Sequence, residues 1–182
     1  MQTLDQYVYF MRETGLFGML VNPQRSSLYD YVTGVEVGMD SHSRKGRSGK
    51  KMEYLVESFI KATGKEYYYQ MTLSQIKRKW HMDFSAITPR KKFDFVVKTD
   101  NCVYAIEVNF YNNDGSKQTE TARSYMMLAE ESKSINNFKF VWITDGGGWL
   151  KSRNSLEEAF NVLDDLYNIA DMEHGILKKI FV

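Results

Sequence analysis

The chain has 182 residues, of which 43% are hydrophobic and 26% charged, and its formal net charge at pH 7 is +1. This length and composition fit a globular domain with a sizeable core and exclude a disordered chain. The near-neutral total neither favours nor excludes nucleic acid as a partner, so the distribution of charge along the chain has to be considered.

The cysteine content and the apolar pattern indicate the cellular setting. The one cysteine, Cys102, lies in an apolar run, which excludes a disulfide framework and makes a cytoplasmic protein the expectation. Residues 1–17 carry an early acid and lack the apolar centre of a signal peptide. No stretch approaches the roughly 18 apolar residues that span a membrane, so no membrane partner is expected.

The N-terminal part is predicted to be a helix over residues 4–14 and then a long irregular loop over residues 32–49, which contain four glycines. Within and just after this loop, residues 44–51 hold five basic side chains and no acid. Such a segregated basic segment can present a positive face to DNA, although a solvated loop is the simpler explanation for any one cluster.

An amphipathic helix is predicted from about Ser48 to Gly64. Its apolar residues recur at helical spacing; they are Met52, Leu55, Val56, Phe59 and Ile60. Glu53 falls at the rim of this stripe, where it faces either solvent or a neighbouring site.

The remaining elements are predicted in the order strand, strand, strand, helix, strand, helix. The strands are residues 82–88, 93–98, 102–110 and 138–144, the first helix is 119–134, and a capping box of Ser155 and Glu158 opens the last helix, which runs to about Tyr167. Hairpins make the first three strands antiparallel, and the intervening helix lets the third and fourth run parallel. This order predicts an α/β fold with a mixed sheet flanked by helices.

Two of these strands carry acidic residues. Strict alternation would place Asp94 with Val96, opposite Phe93, Phe95 and Val97, and would place Glu107 and Asn109 with Ala105. On this basis Asp94, Glu107 and Asn109 converge near one end of the hairpin, on the side away from the more hydrophobic face.

Carboxylates brought together repel each other unless a cation lies between them. Mg²⁺ takes oxygen ligands, usually one or two protein carboxylates completed by water and substrate phosphate. Asp94 and Glu107 suit such a site, and a bound ion would polarise a phosphoryl oxygen and activate water. A solvent-facing pair, each acid bound to a lysine, explains the spacing equally well.

The motif itself resembles a known nuclease signature. Asp94, twelve intervening residues and then Glu107-Val108-Asn109 resembles the PD-(D/E)XK nuclease pattern, whose core has the same order of elements. Phe93 stands where that pattern usually has proline, and Asn109 stands where it usually has lysine.

A closer resemblance covers almost the whole chain. The stretches DYVTGVEVGMD, GRSGKKMEYLVESF, FDFVV, YAIEVNFYNNDGSKQTETARSYMMLAEE and FKFVWITDGGGW are similar to Type II restriction endonucleases of the DpnII/MboI group. Members of that group cut double-stranded DNA at GATC and carry a further N-terminal region, so this chain is expected to be a short form or a single domain. The resemblance implies one nuclease domain over residues 1–182, with 1–49 leading into a catalytic core at 50–182.

The resemblance also implies roles for individual residues. Asp94 and Glu107 would bind Mg²⁺, Asn109 would orient the attacking water or bind the metal, and Glu53 would be the first-helix glutamate beside the metal. Lys117 would approach the scissile or another DNA phosphate, unless it is a solvated lysine. The DNA-binding residues would be Arg44, Lys45, Arg47, Lys50, Lys51, Lys117 and Arg123, although Arg123 could instead pair with Glu120.

Partners follow from the expected substrate. A palindromic site implies a two-fold symmetric reader, hence a homodimer. A companion methyltransferase would protect the same site in host DNA. Another PD-(D/E)XK nuclease, a DNA-binding module that does not cut, and a metal-independent interaction domain remain open as alternatives.

Overall fold

A computed structural model describes residues 41–84, 92–113 and 115–182, without the side chains of residues 41–48. The chain divides into two compact units, Met1–Lys45 and Gly46–Val182. The sheet and the site described below belong to the second unit. The helix predicted at residues 4–14 and the loop predicted at 32–40 lie outside the described residues.

The elements of the described residues are helices and strands in a mixed order. The helices are α1 (Ser41–Lys61), α2 (Leu73–Trp80), α3 (Ser116–Lys133), α4 (Arg153–Val162), α5 (Ile169–Glu173) and α6 (Ile176–Ile180). The strands are β1 (Glu66–Thr72), β2 (Lys92–Lys98), β3 (Val103–Phe110), β4 (Phe138–Asp145) and β5 (Leu166–Tyr167), and a 3-10 helix spans Gly147–Leu150. None of these helices is both long enough and apolar enough to cross a membrane.

The strands form one sheet in the spatial order β1-β2-β3-β4-β5. β1 pairs with β2 and β2 with β3 in antiparallel fashion, whereas β3, β4 and β5 run parallel. The parallel pairing of β3 and β4 is possible because α3 carries the chain back across the sheet between them. The predicted α/β fold with a mixed sheet is confirmed.

Helices cover both faces of this sheet. On one face Met52, Val56 and Ile60 of α1 are buried in the core that contains Phe95 and Ile106. On the other face the buried side of α3, including Ala122 and Tyr125, is part of the core that contains Val96, Ala105 and Trp142. The expected contrast between a more hydrophobic face and the opposite face is therefore not seen, because both faces are buried. This burial explains why β2 and β3 are apolar along most of their length.

The first strand of the sheet is not the predicted one. Residues 82–84 follow α2 without regular structure, and residues 85–88 lie outside the described residues. The place beside β2 is taken by β1, a tyrosine-rich run that begins shortly after Gly64. β1 ends at Thr72, whose side chain and Gln75 form a capping box that starts α2, a helix the sequence pattern did not predict.

Two predicted helix boundaries also change. α1 begins at Ser41, so residues 41–49 are helical and not part of a loop. α4 begins at Arg153 with Ser152 as its N-cap and ends at Val162, so the predicted capping box does not form. The hydroxyl of Ser155 instead donates a hydrogen bond to Thr119 on α3 (3.2 Å), and the chain after α4 is needed for β5.

A glycine turn after β4 clamps the segment that leads out of β3. The N–H of Gly148 donates to the carbonyl of Tyr111 (2.7 Å), and the buried side chain of Gln118 donates to the carbonyl of Asn113 (2.6 Å). A Cβ at position 148 would lie 2.5 Å from the Asn113 oxygen. Gly146 and Gly148 thus let two stretches of backbone meet.

Replacing Gly148 by alanine is expected to lower the free energy of unfolding by about 1–3 kcal/mol, because the backbone at Asn113 must shift to admit the methyl group. Gly147→Ala is the matched control, since nothing lies within 4 Å of a Cβ there, and its effect should stay within about 0.5 kcal/mol. Urea denaturation of both variants measures the difference, and equal stabilities would contradict the close approach.

Candidate active site

β2 changes the facing of its side chains at Asp94. Phe93 and Val96 both pack in the core beneath α3, although they are three residues apart, whereas Phe95 and Val97 pack in the core beneath α1. Strict alternation would have placed Phe93 with Phe95, so the predicted facing is wrong at Phe93. The break in alternation occurs at the acidic residue.

The Asp94 carboxylate bonds to the strands on both sides of β2. Oδ2 accepts a hydrogen bond from the backbone N–H of Val108 (2.9 Å), and Oδ1 accepts one from Nε2 of Gln70 (3.3 Å). The backbone pairing of β2 with β3 runs from Lys98 and Val103 to Phe95 and Ile106. One step further in the same register, Asp94 lies opposite Glu107, and there a side chain replaces the backbone as the acceptor for β3.

Glu107 lies on the α3 side of β3 and is 7% exposed. Its Oε2 accepts a hydrogen bond from the hydroxyl of Tyr125 on α3 (2.9 Å). A carboxylate in such a buried position is costly without hydrogen-bond donors or a nearby cation. Tyr125 supplies one donor and fixes the direction of the carboxylate.

The electrostatics of Tyr125 link the two acids. Burial, followed by the charge of Glu107 and then that of Asp94, raises the pKa of Tyr125 far above its usual value. The hydroxyl therefore remains a donor through the neutral range. Both carboxylates therefore contribute to the electrostatic environment of one buried hydroxyl.

Asn109 lies on the same side of β3 as Glu107, as predicted, and is held by an indole. Nε1 of Trp142 donates a hydrogen bond to Oδ1 of Asn109 (2.9 Å). Because an indole N–H can only donate, the amide orientation is fixed, and Asn109 has its Nδ2 donor for other partners. The Trp142 ring meets the Tyr125 ring edge to face, with centroids 5.0 Å apart, so the two supports brace each other.

Glu53 reaches the sheet from α1. Its Oε2 accepts a hydrogen bond from the hydroxyl of Tyr69 on β1 (2.5 Å). That bond, with burial and the charges of Glu53 and Asp94, raises the pKa of Tyr69 to about 12. Glu53 thus lies with Tyr69 and Phe95 on the α1 side of the sheet, whereas Glu107 lies on the α3 side.

Of the two predicted basic residues on α3, only Lys117 lies on the side of the carboxylates. Lys117 is exposed and stands four and eight residues before Thr121 and Tyr125, so the three share one side of the helix. Arg123 is exposed about 200° around the helix from Tyr125. Arg123 forms no ion pair with Glu120, although both side chains are described.

The remaining predicted DNA-binding residues lie on α1. Lys50 is exposed and Lys51 is half-buried. Arg44, Lys45 and Arg47 fall on the helical backbone, but their side chains lie outside the described residues.

The donor set suits a hard divalent cation with two protein ligands. No group of three or more His, Cys, Asp or Glu side chains that could hold a metal occurs in the described parts of the chain. Asp94 and Glu107 form a pair, and Mg²⁺ in enzymes is commonly bound by one or two carboxylates, with water and substrate phosphate as the other ligands. The residues present therefore fit this ion.

A separate cavity of about 490 Å³ lies at the opposite end of β2, where Lys98, Asp100 and Cys102 contribute to its walls. It is not part of the site around Asp94.

The family of the chain follows from comparison with known proteins. A family model described as DpnII restriction endonuclease matches residues 1–179. The chain belongs to the DpnII restriction endonuclease family. No solved structure matches the chain, so the details of the site rest on the geometry given above.

Individual members of the family support the assignment. The chain is 47% identical to the Type II restriction enzyme DpnII of Streptococcus pneumoniae, 41% identical to MjaIII of Methanocaldococcus jannaschii and 34% identical to MboI of Moraxella bovis. Each comparison covers 98% of this chain but only 65%, 64% and 62% of the respective relative. The chain thus spans a little under two thirds of the length of these relatives, and the family resemblance seen in its motifs is confirmed.

Several residues that build the site in this family member were not singled out by their sequence pattern. Tyr125 and Trp142 lie within a predicted helix and a predicted strand, but neither was named as a site residue. Gln70 lies in a strand that was not predicted. The sequence pattern of a buried aromatic residue is the same whether it fills a core or bonds to a polar side chain. Tyr125 and Trp142 are recognised as site residues only by their hydrogen bonds to Glu107 and Asn109.

Tyr125→Phe is expected to lower the free energy of unfolding by about 1–3 kcal/mol, because the buried Glu107 carboxylate loses a donor. Tyr69→Phe is the matched control: it also removes a hydroxyl bonded to a carboxylate, but Tyr69 is 56% exposed, so the loss should stay below about 1 kcal/mol. Urea denaturation at neutral pH compares the two, and a Tyr125 effect no larger than the control would contradict the role of this bond.

The same pair predicts a pH dependence. The raised pKa of Tyr125 means that its contribution to stability is complete below the ordinary tyrosine pKa of about 10 and falls as the pH rises above that value. The native protein should therefore lose more stability than Tyr125→Phe between about pH 9 and about pH 11. Parallel loss in both proteins, measured by urea denaturation, would show that Tyr125 ionises freely in the fold.

Proposed function

We propose that this chain is the catalytic part of a Type II restriction endonuclease that hydrolyses phosphodiester bonds of double-stranded DNA at GATC with Mg²⁺. The observation that carries the proposal is the hydrogen bond from the N–H of Val108, next to Glu107, to the carboxylate of Asp94, where the backbone pairing of β2 and β3 ends. Family membership supports the reaction type, and the site GATC rests on the resemblance to the DpnII/MboI group.

The proposed metal ligands are the carboxylates of Asp94 and Glu107. A bound Mg²⁺ would polarise a phosphoryl oxygen and lower the pKa of a water nucleophile. Each carboxylate has a neutral hydrogen-bond donor that fixes its direction without cancelling its charge: the Gln70 amide for Asp94 and the Tyr125 hydroxyl for Glu107. The negative charge is thus kept for a cation.

Asn109 and Lys117 supply the remaining chemistry on this side of β3. Asn109 cannot serve as a general base, and its Oδ1 already accepts from Trp142. Its Nδ2 is assigned to hold the attacking water or a phosphate oxygen. Lys117, exposed in the first turn of α3, is assigned to a DNA phosphate, and Glu53 is assigned to support the site through Tyr69.

DNA is proposed to run past the basic segment at the start of α1 as well. Arg44, Lys45, Arg47, Lys50 and Lys51 would bind the backbone, with a lesser part for Arg123 because it lies on the far side of α3. A palindromic target calls for two copies of the chain. Host DNA would be protected by a companion methyltransferase that modifies the same site.

The experiment that tests the proposal uses a duplex with one GATC site, unmethylated or adenine-methylated, and a scrambled duplex, each with Mg²⁺ or EDTA. Cutting confined to the unmethylated GATC duplex with Mg²⁺ is the expected result. GATC-specific binding without any product would support a DNA-binding module instead. If the protein neither binds nor cuts the GATC duplex, the proposed function is contradicted.

Asp94→Asn and Glu107→Gln are expected to reduce cleavage at least about 100-fold, because each removes a charged ligand of the metal. DNA affinity should stay within a factor of about three, since neither residue is assigned to the DNA backbone. Asp164→Asn is the control, because it makes the same chemical change at an exposed carboxylate. Near-native cleavage by either site variant would remove that residue from the metal site.

Lys117→Ala is expected to weaken binding to GATC and scrambled duplexes alike and to lower the slope of log affinity against log salt by about 0.9, the loss of one phosphate contact. Lys179→Ala is the control, because Lys179 is exposed on α6. Titrations at several salt concentrations with Ca²⁺ measure both. Unchanged slopes in both variants would assign Lys117 to solvent.

A further inference from the structure

Gln70 has an unusual backbone conformation for its residue type. It lies inside β1 with a φ of 56°, in the left-handed region that side chains beyond glycine, asparagine and aspartate rarely adopt. Such a residue persists in a strand only where its surroundings require it, and strained positions of this kind concentrate at functional sites.

β1 breaks its alternation at Gln70, as β2 does at Asp94. Tyr68 and Met71 both lie on the α3 side, although they are three residues apart, while Tyr69 meets Phe95 on the other side with ring centroids 5.4 Å apart. The backbone pairs on either side of the break are Tyr69 with Phe95 and Met71 with Phe93. Gln70 and Asp94 are therefore the two residues of one rung, and both strands depart from regular geometry there.

The departure brings a neutral donor to the acid. Nε2 of Gln70 lies 3.3 Å from Oδ1 of Asp94, while Oδ2 of Asp94 accepts from the N–H of Val108. One oxygen is thus tied to the strand on each side of β2. A lysine or arginine in place of Gln70 would orient the carboxylate equally well but would oppose the binding of a cation.

We infer that Gln70 is a positioning residue, whose amide sets the direction of the Asp94 carboxylate beside Glu107 and whose left-handed backbone is retained to deliver that amide. The inference rests on the proposed metal site. It deepens that proposal by adding a residue that touches neither metal nor DNA. Outer partners of metal ligands commonly change metal affinity or activity by about 10–100-fold when they are removed.

Two substitutions of Gln70 distinguish the effect of its side-chain amide from the effect of its strained backbone. Gln70→Gly removes the amide and relieves the left-handed conformation, so its urea midpoint should equal or exceed that of the native chain. Gln70→Met removes the amide but keeps the strain and a side chain of similar length, so its midpoint should be equal or lower. Both should raise the Mg²⁺ concentration for half-maximal cleavage about tenfold, with the KM for duplex DNA unchanged.

A second readout does not depend on cleavage. Terbium, a hard oxygen-seeking ion, should show luminescence sensitised by the nearby aromatic rings, and its midpoint should move to higher concentration in both Gln70 variants. His81→Gly is the control, because His81 also has a left-handed backbone (φ 54°) but lies at the far end of α2. It should keep the native responses to Mg²⁺ and terbium.

The outcomes separate this inference from the proposed function. If Asp94→Asn removes the response to Mg²⁺ and terbium while Gln70→Gly and Gln70→Met keep native midpoints, Gln70 has no positioning role and the metal site stands. A Gln70→Gly protein that loses urea stability along with activity would also overturn the inference, because the amide would then serve the fold. If Asp94→Asn changes neither response, the metal site itself fails.

Discussion

The hydrogen bond from the N–H of Val108 to the carboxylate of Asp94 is the constraint on which the site depends. β2 and β3 pair through their backbones as far as Phe95 and Ile106, and the next acceptor for β3 is a side chain. Because the Asp94 side chain takes the place of a backbone acceptor, the backbone pairing of β2 with β3 ends there, and the carboxylate of Asp94 points along the sheet toward β3. Extending the register by one residue puts Glu107 opposite Asp94, so both acids lie where the backbone pairing of β2 and β3 ends.

The rest of the site is built into the core behind these acids. Tyr125 holds Glu107 and Trp142 holds Asn109, and the two rings pack edge to face. Trp142 also meets Trp149, which follows the glycine turn that clamps the exit of β3. Glu107 and Asn109 are thus each fixed by an aromatic side chain whose ring is buried. Substitutions in this core should change both stability and the geometry of the acids, because one set of contacts serves both.

The sequence was sufficient for the parts of the fold that depend on periodicity. The apolar stripe of α1 and the apolar runs of β2, β3 and β4 predicted a mixed sheet, because the residues in these patterns are the ones that the fold buries. β1 was missed because the consecutive tyrosines Tyr67, Tyr68 and Tyr69 give no alternation of polar and apolar residues. The predicted cap at Ser155 failed because its hydroxyl bonds to Thr119, a partner distant in sequence.

The same contrast holds for the site. Asp94, Glu107 and Asn109 were predicted from spacing, and the structure brings them to one end of β2 and β3. The facing of Phe93 was wrong because alternation is a property of regular strands, and the chain is irregular at Asp94. Gln70 could not have been found from spacing, since its role depends on a left-handed backbone and on the pairing of two strands.

The most direct measurement for the central claim is the anomalous scattering of Mn²⁺ in crystals of the chain grown with a GATC duplex. The account predicts a difference peak between the carboxylates of Asp94 and Glu107, next to a phosphate of the duplex. A peak bound by other residues, or occupancy at this place that survives in Glu107→Gln and Asp94→Asn crystals, would contradict it.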